Sequence, residues 1–447
     1  MKKVIKYILL FVLFFSCIQF FYGSFRGDYV YNYGFSYAIS RGEIPYNDFN
    51  MIIPPFGAFL YAIPLMIFGT SNIVFNITQA ILLCVVFYYL FKLLDKKAYI
   101  IMAIICMFFP IPFCTILFPG YNFLLLLELI ILIYLEKNDG NDYLIGLLLA
   151  FSILTKQTVG FCLVLVSLYY LFKNRKKFMR RLVGFIIPCV IFLIYLLITK
   201  SLYNFLDLCL FGMFDFTNSN GKIMDYNFIL FLIGIIYLIY RIVKDKSNII
   251  NYYFLAFSMV AIPLFDYYHV SIFLFSILIL IIYNLNIKYS SKILFFNSLL
   301  ISISAIIIWN CFYYKFSPHF TNYNGFNYFT MNKKIDEETK VINNYIAKNK
   351  KKNLIILGAN AYFFKMTNNL DINYYDLLNY GNHGYDGTNK VINMIKKEKN
   401  PVFIININEY KDNKSDRQQI NKKVMKYVFD NYVEDERIGE YIILKEK

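Results

Sequence analysis

The sequence has little of what most soluble active sites and secreted folds are built from. It contains three histidines, one tryptophan, and 29 acidic residues against 45 lysines and arginines. Its eight cysteines all lie in or beside apolar runs, and no pair has the spacing of zinc ligands. No Walker A or Rossmann glycine motif follows any predicted strand. These absences argue against a disulfide framework, a zinc site and a nucleotide-binding domain.

Apolar sequence is what the chain has in abundance. Hydrophobic residues make up 58% of it and aromatic residues 20%, and the mean hydropathy is +0.49. Runs of about 20 apolar residues recur until roughly residue 311, each long enough to cross a bilayer core. A transmembrane barrel would show short alternating segments instead. The pattern predicts a polytopic α-helical membrane protein with about eleven transmembrane helices.

The predicted spans follow the apolar runs. No small-residue cleavage site follows the first run, so we interpret it as a retained first span. The predicted spans are 4–21, 72–91, 98–115, 121–135, 143–155, 159–172, 182–199, 228–240, 249–265, 270–286 and 293–311.

The distribution of charge predicts the orientation. The net charge is +16, and lysines and arginines cluster at alternate ends of the apolar runs, above all in Lys173–Arg181. They are cytoplasmic anchors under the positive-inside rule, rather than a nucleic-acid site. The N-terminus is therefore predicted inside the cell and the C-terminal part outside. The short apolar run 54–69 would reverse this order if it crossed, so we predict an interfacial helix within a first outer loop, 22–71.

From residue 312 the composition becomes polar, with short apolar runs. The stretches "NLIILG", "PVFIININ" and "EYIILK" read as strands that alternate with amphipathic helices. This order predicts a small α/β domain over 312–447 on the outer face, following a transmembrane domain over 1–311.

The first outer loop opens with "RGDYVYNYGFSYAISRGEIPYNDFNMIIPPFG", which carries Asp28, Glu43 and Asp48. One interpretation is that these are ordinary solvated loop charges. The other is catalytic, because Asp28 follows the first span and lies near head-group level. A carboxylate at that depth can take a proton from an acceptor hydroxyl.

Lys156, in "SILTKQTVG", lies at the outer end of a predicted span, although most other lysines are predicted inside. It is either a lysine that snorkels to the interface or a ligand for a lipid-borne phosphate, which an ammonium binds by charge-assisted hydrogen bonds.

Asp266 and His269 stand three residues apart in "IPLFDYYHVSIF", where two predicted spans meet. They can share one helix face, and either bond only to each other or line an outer cavity. Two ligands do not make a metal site. Glu128 falls inside an apolar run, and the sequence assigns it no role.

The first-loop pattern resembles that of GT-C class glycosyltransferases, of the family 39, protein O-mannosyltransferase and aminoarabinose transferase type. The resemblance rests on the early Asp28, on Gly42, Pro45, Tyr46 and Asp48, and on the pair Pro54–Pro55. The paired Asp-Glu of the eukaryotic mannosyltransferases is absent.

The resemblance implies a helical bundle that transfers a sugar, with inversion, from a polyprenyl-phosphate donor to an envelope glycan, lipid or protein. Asp28 is then the catalytic carboxylate and Asp48 a second cavity acid. We assign donor-phosphate binding to Lys156 and Arg41. Glu43, Tyr46, Asp266 and His269 are expected to line the cavity.

The sequence predicts no particular cofactor, and it leaves open whether the reaction uses a divalent cation. The expected partners are the lipid donor, membrane lipid and the acceptor, without nucleic acid. The alternative is a transporter or flippase for an envelope precursor. Such proteins often show paired halves with broken helices, and no internal symmetry is evident here. A non-catalytic envelope scaffold is a third reading.

Overall fold

The computed structural model describes residues 28–108, 120–214, 226–262, 264–316, 319–323, 326–330, 333–358, 361–376, 381–408 and 422–447. The predicted first span, 4–21, lies outside these residues. The helices, numbered in chain order, are α1 (Asp28–Ser40), α2 (Phe56–Phe68), α3 (Asn72–Leu94), α4 (Ala98–Phe108), α5 (Tyr121–Lys137), α6 (Asp142–Thr155), α7 (Gln157–Ser167), α8 (Tyr169–Lys173), α9 (Arg175–Ile198), α10 (Leu202–Leu206), α11 (Tyr226–Lys244), α12 (Ile249–Phe257), α13 (Tyr267–Asn284), α14 (Ser291–Phe316), α15 (Lys333–Lys348), α16 (Ala361–Thr367), α17 (Gly387–Ile395) and α18 (Lys422–Asn431).

By length and composition, four helical segments in the described part of the chain can cross a membrane: Asn72–Ile105, Arg175–Ile198, Tyr226–Lys244 and Tyr267–Asn284. Several others are apolar but shorter, among them α2, α6 and α12. The predicted span 72–91 and the described part of the span 98–115 correspond to α3 and α4, which a single 3₁₀ turn, Asp95–Lys97, joins. The chain is thus a helical membrane protein, and the count of eleven spans stays a prediction.

Contacts divide the chain into two compact units. The first unit contains the described residues of 75–194 and 223–316. The second contains residues 23–74, 195–222 and 317–447. The segment predicted as the first outer loop thus groups with the C-terminal part, and the predicted domain boundary at residue 311 stays a prediction.

The first unit is a bundle in which burial differs sharply between helices. All but the ends of α5 is buried, from Asn122 to Ile133 with one exception. In contrast, α9 and α11 carry many exposed isoleucines and leucines; Ile191 is 63% exposed and Ile236 66%. A helix that is apolar on its exposed face is suited to a lipid environment, in which exposed apolar side chains cost nothing.

A buried ion network ties one end of this bundle together. The guanidinium of Arg181, on α9, donates to both oxygens of Glu136 at 2.5 and 3.1 Å and to Asp142 Oδ1 at 3.0 Å. The hydroxyls of Tyr170 and Tyr253 also donate to Glu136. Because each charge has several partners, this network offsets the cost of burying them.

The second unit contains a sheet of four strands. Its strands are β3 (Leu354–Leu357), β4 (Val402–Asn406), β5 (Tyr432–Ile438) and β6 (Tyr441–Glu446), and a separate hairpin pairs β1 (His319–Tyr323) with β2 (Phe326–Thr330). The order is β3-β4-β6-β5, with β3 and β4 parallel and the other pairs antiparallel.

The three strands predicted from the sequence lie at β3, β4 and β6. Every residue of β3 and β4 is buried, as expected for strands covered on both faces. The sequence did not predict β5, because "YVEDERI" is mostly charged and its residues stay largely exposed at the sheet edge. The hairpin was not predicted either.

Two helices come from the segment predicted as the first outer loop. The apolar run 54–69 forms a helix, α2, whose last residues Met66, Ile67 and Phe68 are more than half exposed; its place at the membrane interface stays a prediction. The stretch before it forms α1, buried along its length from Tyr29 to Ile39. Here α1 packs on α16, and a Cβ at Gly34 would overlap the ring of Tyr362. Glycine permits this close approach.

Candidate functional site

Lys156 stands at a break between two apolar helices of the first unit. Helix α6 ends at Thr155 and α7 begins at Gln157, so Lys156 is the single residue between them, with extended backbone angles (φ −152°, ψ 112°). Its N–H donates to the Ser152 carbonyl at 3.0 Å, and its carbonyl accepts from the N–H of Gly160 at 3.0 Å. The break is therefore fixed by hydrogen bonds on both sides.

Gly160 allows the two helices to meet so closely. A Cβ at this position would overlap the backbone of Ile153 and Ser152. A backbone obstacle cannot rotate away as a side chain can, so the contact requires glycine.

The ammonium of Lys156 faces two groups from other helices. Its Nζ donates to the carbonyl of Val260 at 3.2 Å and lies 5.6 Å from the centroid of the Tyr121 ring. The ring face is electronegative and so favours the cation. The predicted lysine at a helix junction is thus observed, partly buried, with its charge held in the bundle.

Asp266 and His269 pair as their spacing predicts. Asp266 caps the N-terminus of α13, where its Oδ1 accepts from the backbone N–H of His269 at 2.8 Å and lies 2.8 Å from Nδ1 of the same residue. Burial alone would raise the pKa of Asp266. Two neighbours outweigh this effect of burial: His269, through its charge and its hydrogen bonds, and Lys156, through its charge. Together they lower the pKa of Asp266 to about 2, so the carboxylate stays ionised.

Tyr121 joins these residues into one group. Its hydroxyl lies 3.3 Å from Nε2 of His269, while its ring contacts the Lys156 ammonium. When both ring nitrogens of His269 carry protons, Nδ1–H donates to Asp266 and Nε2–H donates to the tyrosine oxygen, which leaves the hydroxyl proton of Tyr121 for another acceptor. We call Tyr121, Lys156, Asp266 and His269 the Lys156 cluster.

Sequence reasoning missed Tyr121. It is the first residue of α5 and follows "FPG", at the same end of the bundle as the Lys156 turn. A tyrosine that directly follows Pro-Gly at the start of a predicted span was the available signal, since aromatic residues with a polar tip favour such interfaces.

The two predicted catalytic carboxylates lie in the second unit. Asp28 is the first residue of α1 and is half-buried; its backbone carbonyl accepts from the Asn32 amide at 2.7 Å. Asp48 is exposed, and its Oδ2 accepts from the N–H of Ile44 at 2.6 Å within a local turn. The turn thus already uses one oxygen of Asp48.

Arg41 and Glu43 contact a segment of the C-terminal part. Arg41 donates to Asp371 Oδ1 from Nε at 3.0 Å and from Nη2 at 2.6 Å, and to the Asn369 side chain at 2.7 Å. Glu43 Oε1 accepts from the N–H of Ile372 at 3.3 Å. Phosphate binding by Arg41 stays a prediction, and in this structure its guanidinium is paired within the unit.

Burial dominates the titration of Glu43. Desolvation raises its pKa and the Ile372 hydrogen bond opposes this; Asp371 raises it further, to about 7 overall.

Tyr46, also predicted to line a cavity, is fully buried at a left-handed φ of 73°, and its hydroxyl donates to the Ile53 carbonyl at 2.9 Å. It therefore stabilises the fold of the loop.

The residues that the structure describes contain no group of three or more His, Cys, Asp or Glu side chains placed to hold a metal ion.

Comparisons with known proteins agree with the resemblance seen in the first loop. Residues 52–224, which include Tyr121 and Lys156, match the model of glycosyltransferase family 87. No curated relative matches the chain.

Two solved structures share the fold over nearly the full length. One is ArnT from Cupriavidus metallidurans bound to undecaprenyl phosphate, with a TM-score of 0.58 and 11% identity over 99% of this chain and 98% of that one. The other is the apo state of the same protein, with a TM-score of 0.56, 10% identity and the same coverage. The chain therefore has the GT-C fold of membrane glycosyltransferases.

Proposed function

We propose that this protein is a membrane glycosyltransferase that takes its sugar from a polyprenyl-phosphate donor. The observation that carries the proposal is the Lys156 cluster: a lysine at a helix break, with a tyrosine ring facing its ammonium and an ionised carboxylate close enough to interact with its charge. The fold shared with a protein solved with undecaprenyl phosphate supports the same donor class.

The chemistry of the cluster suits a lipid-borne phosphate. The ammonium of Lys156 can form charge-assisted hydrogen bonds to phosphate oxygens. The N-terminal N–H groups of α7, which begins at the next residue, point out of the helix end and favour an anion. Tyr121 supplies a further hydroxyl donor. The phosphate leaves with the electron pair of the broken glycosidic bond, so its negative charge is what these groups would stabilise.

Asp28 is the proposed base. It would take the proton from the acceptor hydroxyl as the acceptor oxygen attacks the anomeric carbon, with inversion. Its place at the first turn of a buried helix gives it a fixed backbone. Asp48 is the weaker candidate, because it is exposed and already accepts a hydrogen bond from its own turn.

The proposed reaction takes place at the outer face of the cell membrane. The lysines and arginines at alternate ends of the apolar helices support a cytoplasmic N-terminus under the positive-inside rule. The C-terminal sheet domain would then be extracytoplasmic. The proposed acceptors are envelope glycans, lipids or proteins, all of which present hydroxyl groups there.

The experiment is transfer by the purified protein in lipid vesicles, with a radiolabelled pool of polyprenyl-phosphate sugars and envelope extracts as acceptors. The wild type should form a labelled product, and Asp28→Asn should abolish it. Asp430→Asn, which changes an exposed carboxylate on α18, is the matched control and should keep full activity.

Three results would contradict the proposal. Turnover by Asp28→Asn at the wild-type rate would remove the proposed base. Movement of the lipid across the vesicle membrane without product would favour a flippase. No activity of either kind would favour a binding scaffold.

A further inference from the structure

Glu128 is an ionisable residue in the middle of α5, inside the bundle. Its residue exposure is 5%, and its Oε1 accepts from the hydroxyl of Thr155 at 2.8 Å. Its Oε2 is buried and has no hydrogen-bond partner among the described residues. A carboxyl group at membrane depth is costly to keep, so its position calls for a functional explanation.

The register of α5 connects Glu128 to the Lys156 cluster. Tyr121 and Glu128 are seven residues apart, which is two helical turns and about 10 Å along the axis on nearly the same face. Tyr121 contacts the Lys156 ammonium, and Glu128 holds the hydroxyl of Thr155, the residue directly before Lys156. One face of α5 therefore contacts the helix break at two positions along its axis, through Tyr121 and through Glu128.

Thr155 is the last residue of α6 and lies next to the break at Lys156. Its hydroxyl lies 2.8 Å from Glu128 Oε1 and also 2.8 Å from the Phe151 carbonyl one turn earlier. A hydroxyl has one proton to donate. A bond to Glu128 draws Thr155 toward α5, and a bond to Phe151 keeps it on its own helix.

We propose that Glu128 is a positioning residue: through Thr155 it fixes the break at Lys156 and so aims the ammonium at the donor phosphate. The proposal rests on the function proposed above for the site, but its structural part does not. Glu128 touches neither the reacting atoms nor the phosphate in this scheme. Its contribution is the place of the Lys156 side chain.

The experiment measures Lys156 itself before any activity. The purified protein in vesicles is treated with a lysine-acylating reagent, and mass spectrometry follows the labelling rate of Lys156 against Lys137 as an internal reference. Lys137 also donates to a helix carbonyl and faces a tyrosine ring, at the other end of α5. The variants are Glu128→Gln, Glu128→Leu, Thr155→Val and Thr155→Ser.

Glu128→Leu and Thr155→Val should raise the Lys156 rate at least about threefold, the size of a modest coupling, and leave the Lys137 rate unchanged. Thr155→Ser keeps the hydroxyl and Glu128→Gln keeps the acceptor oxygen, so both should stay near the wild type. The double variant of Glu128→Leu with Thr155→Val should add little to either one.

In transfer assays the same two variants should raise KM for the lipid donor more than they lower kcat. A Lys156 labelling rate equal to wild type in folded Glu128→Leu and Thr155→Val would overturn the positioning role. If the wild type transfers no sugar, the proposed function fails, and the labelling rates still decide this inference separately.

Discussion

The hydroxyl of Tyr121 lies 3.3 Å from Nε2 of His269, although the two residues are 148 positions apart in the chain. The other ring nitrogen of His269 lies 2.8 Å from Asp266. The imidazole therefore connects an ionised carboxylate to a hydroxyl whose ring contacts the Lys156 ammonium. This arrangement fixes the direction in which the tyrosine hydroxyl points.

Tyr121→Phe removes that hydroxyl and keeps the ring beside Lys156. If the hydroxyl binds the donor phosphate, transfer should fall about tenfold or more, as for the loss of a hydrogen bond to a charged group. His269→Gln should cause a smaller loss, because it disturbs only the direction of the hydroxyl. Tyr134→Phe, in the same helix α5, is the control and should transfer at the wild-type rate. The wild-type transfer rate in all three variants would exclude a role for Tyr121 and His269 in transfer.

The residues of this cluster show what a sequence can predict. Lys156 stood out because it interrupts two apolar runs, and Asp266 and His269 because their spacing fits one helical turn. These are local patterns, and the structure contains both. Tyr121 is one of 41 tyrosines, and only the packing of α5 against α13 distinguishes it from the others.

Tertiary packing also explains what the sequence did not predict in the first loop. The stretch from Asp28 reads as a polar, tyrosine-rich loop, yet it forms a buried helix because α16 covers it with Tyr362. Arg41 reads as a free cation near the membrane, and its partner Asp371 lies 330 positions away. A local sequence pattern cannot indicate a partner that lies so far away along the chain.

Arg181→Met should destabilise the first unit. The change leaves Glu136 buried without its cation and Asp142 with only Arg180, 4.0 Å away, at a cost of about 3–5 kcal/mol. The measurement is the thermal unfolding midpoint of the protein in detergent. Lys177→Met, which removes an exposed ion pair with Asp139, is the control and should leave the midpoint nearly unchanged. A midpoint for Arg181→Met equal to that of the control would mean that the network does not stabilise the bundle.

Glu43 should make the second unit less stable as the pH rises. Burial raises its pKa from 4.5 to about 7, so the folded protein binds the proton more tightly than the unfolded chain. The stabilisation is full below pH 4.5 and is lost as the pH rises to about 7. Asp376, whose pKa burial raises to about 6 despite Lys365, acts in the same direction.

The check is the unfolding midpoint between pH 5 and 8 for the wild type, Glu43→Gln and Asp376→Asn. The midpoint of the wild type should fall across this range, and each substitution should flatten part of the slope. A slope in Glu43→Gln as steep as in the wild type would contradict the assignment.

Gly160→Ala should disturb the helix break directly. The added methyl group meets the backbone of Ile153, which cannot move aside, so we expect a loss of about 1–3 kcal/mol together with reduced donor binding. The control is Gly234→Ala, where the methyl meets the side-chain ring of Phe273 instead. It should cost less stability and leave donor binding intact. The same loss of donor binding in both variants would show that donor binding does not depend specifically on the helix break at Lys156.

The most direct test of the account is binding of undecaprenyl phosphate to the purified protein, followed by native mass spectrometry. Lys156→Gln should weaken binding about tenfold or more, since it removes a hydrogen bond from a charged donor to the phosphate. Lys137→Gln should bind as the wild type does, and undecaprenol, which lacks the phosphate, should not distinguish the three proteins. Equal affinity of wild type and Lys156→Gln for undecaprenyl phosphate would contradict the central claim that Lys156 holds the phosphate of a lipid-linked sugar.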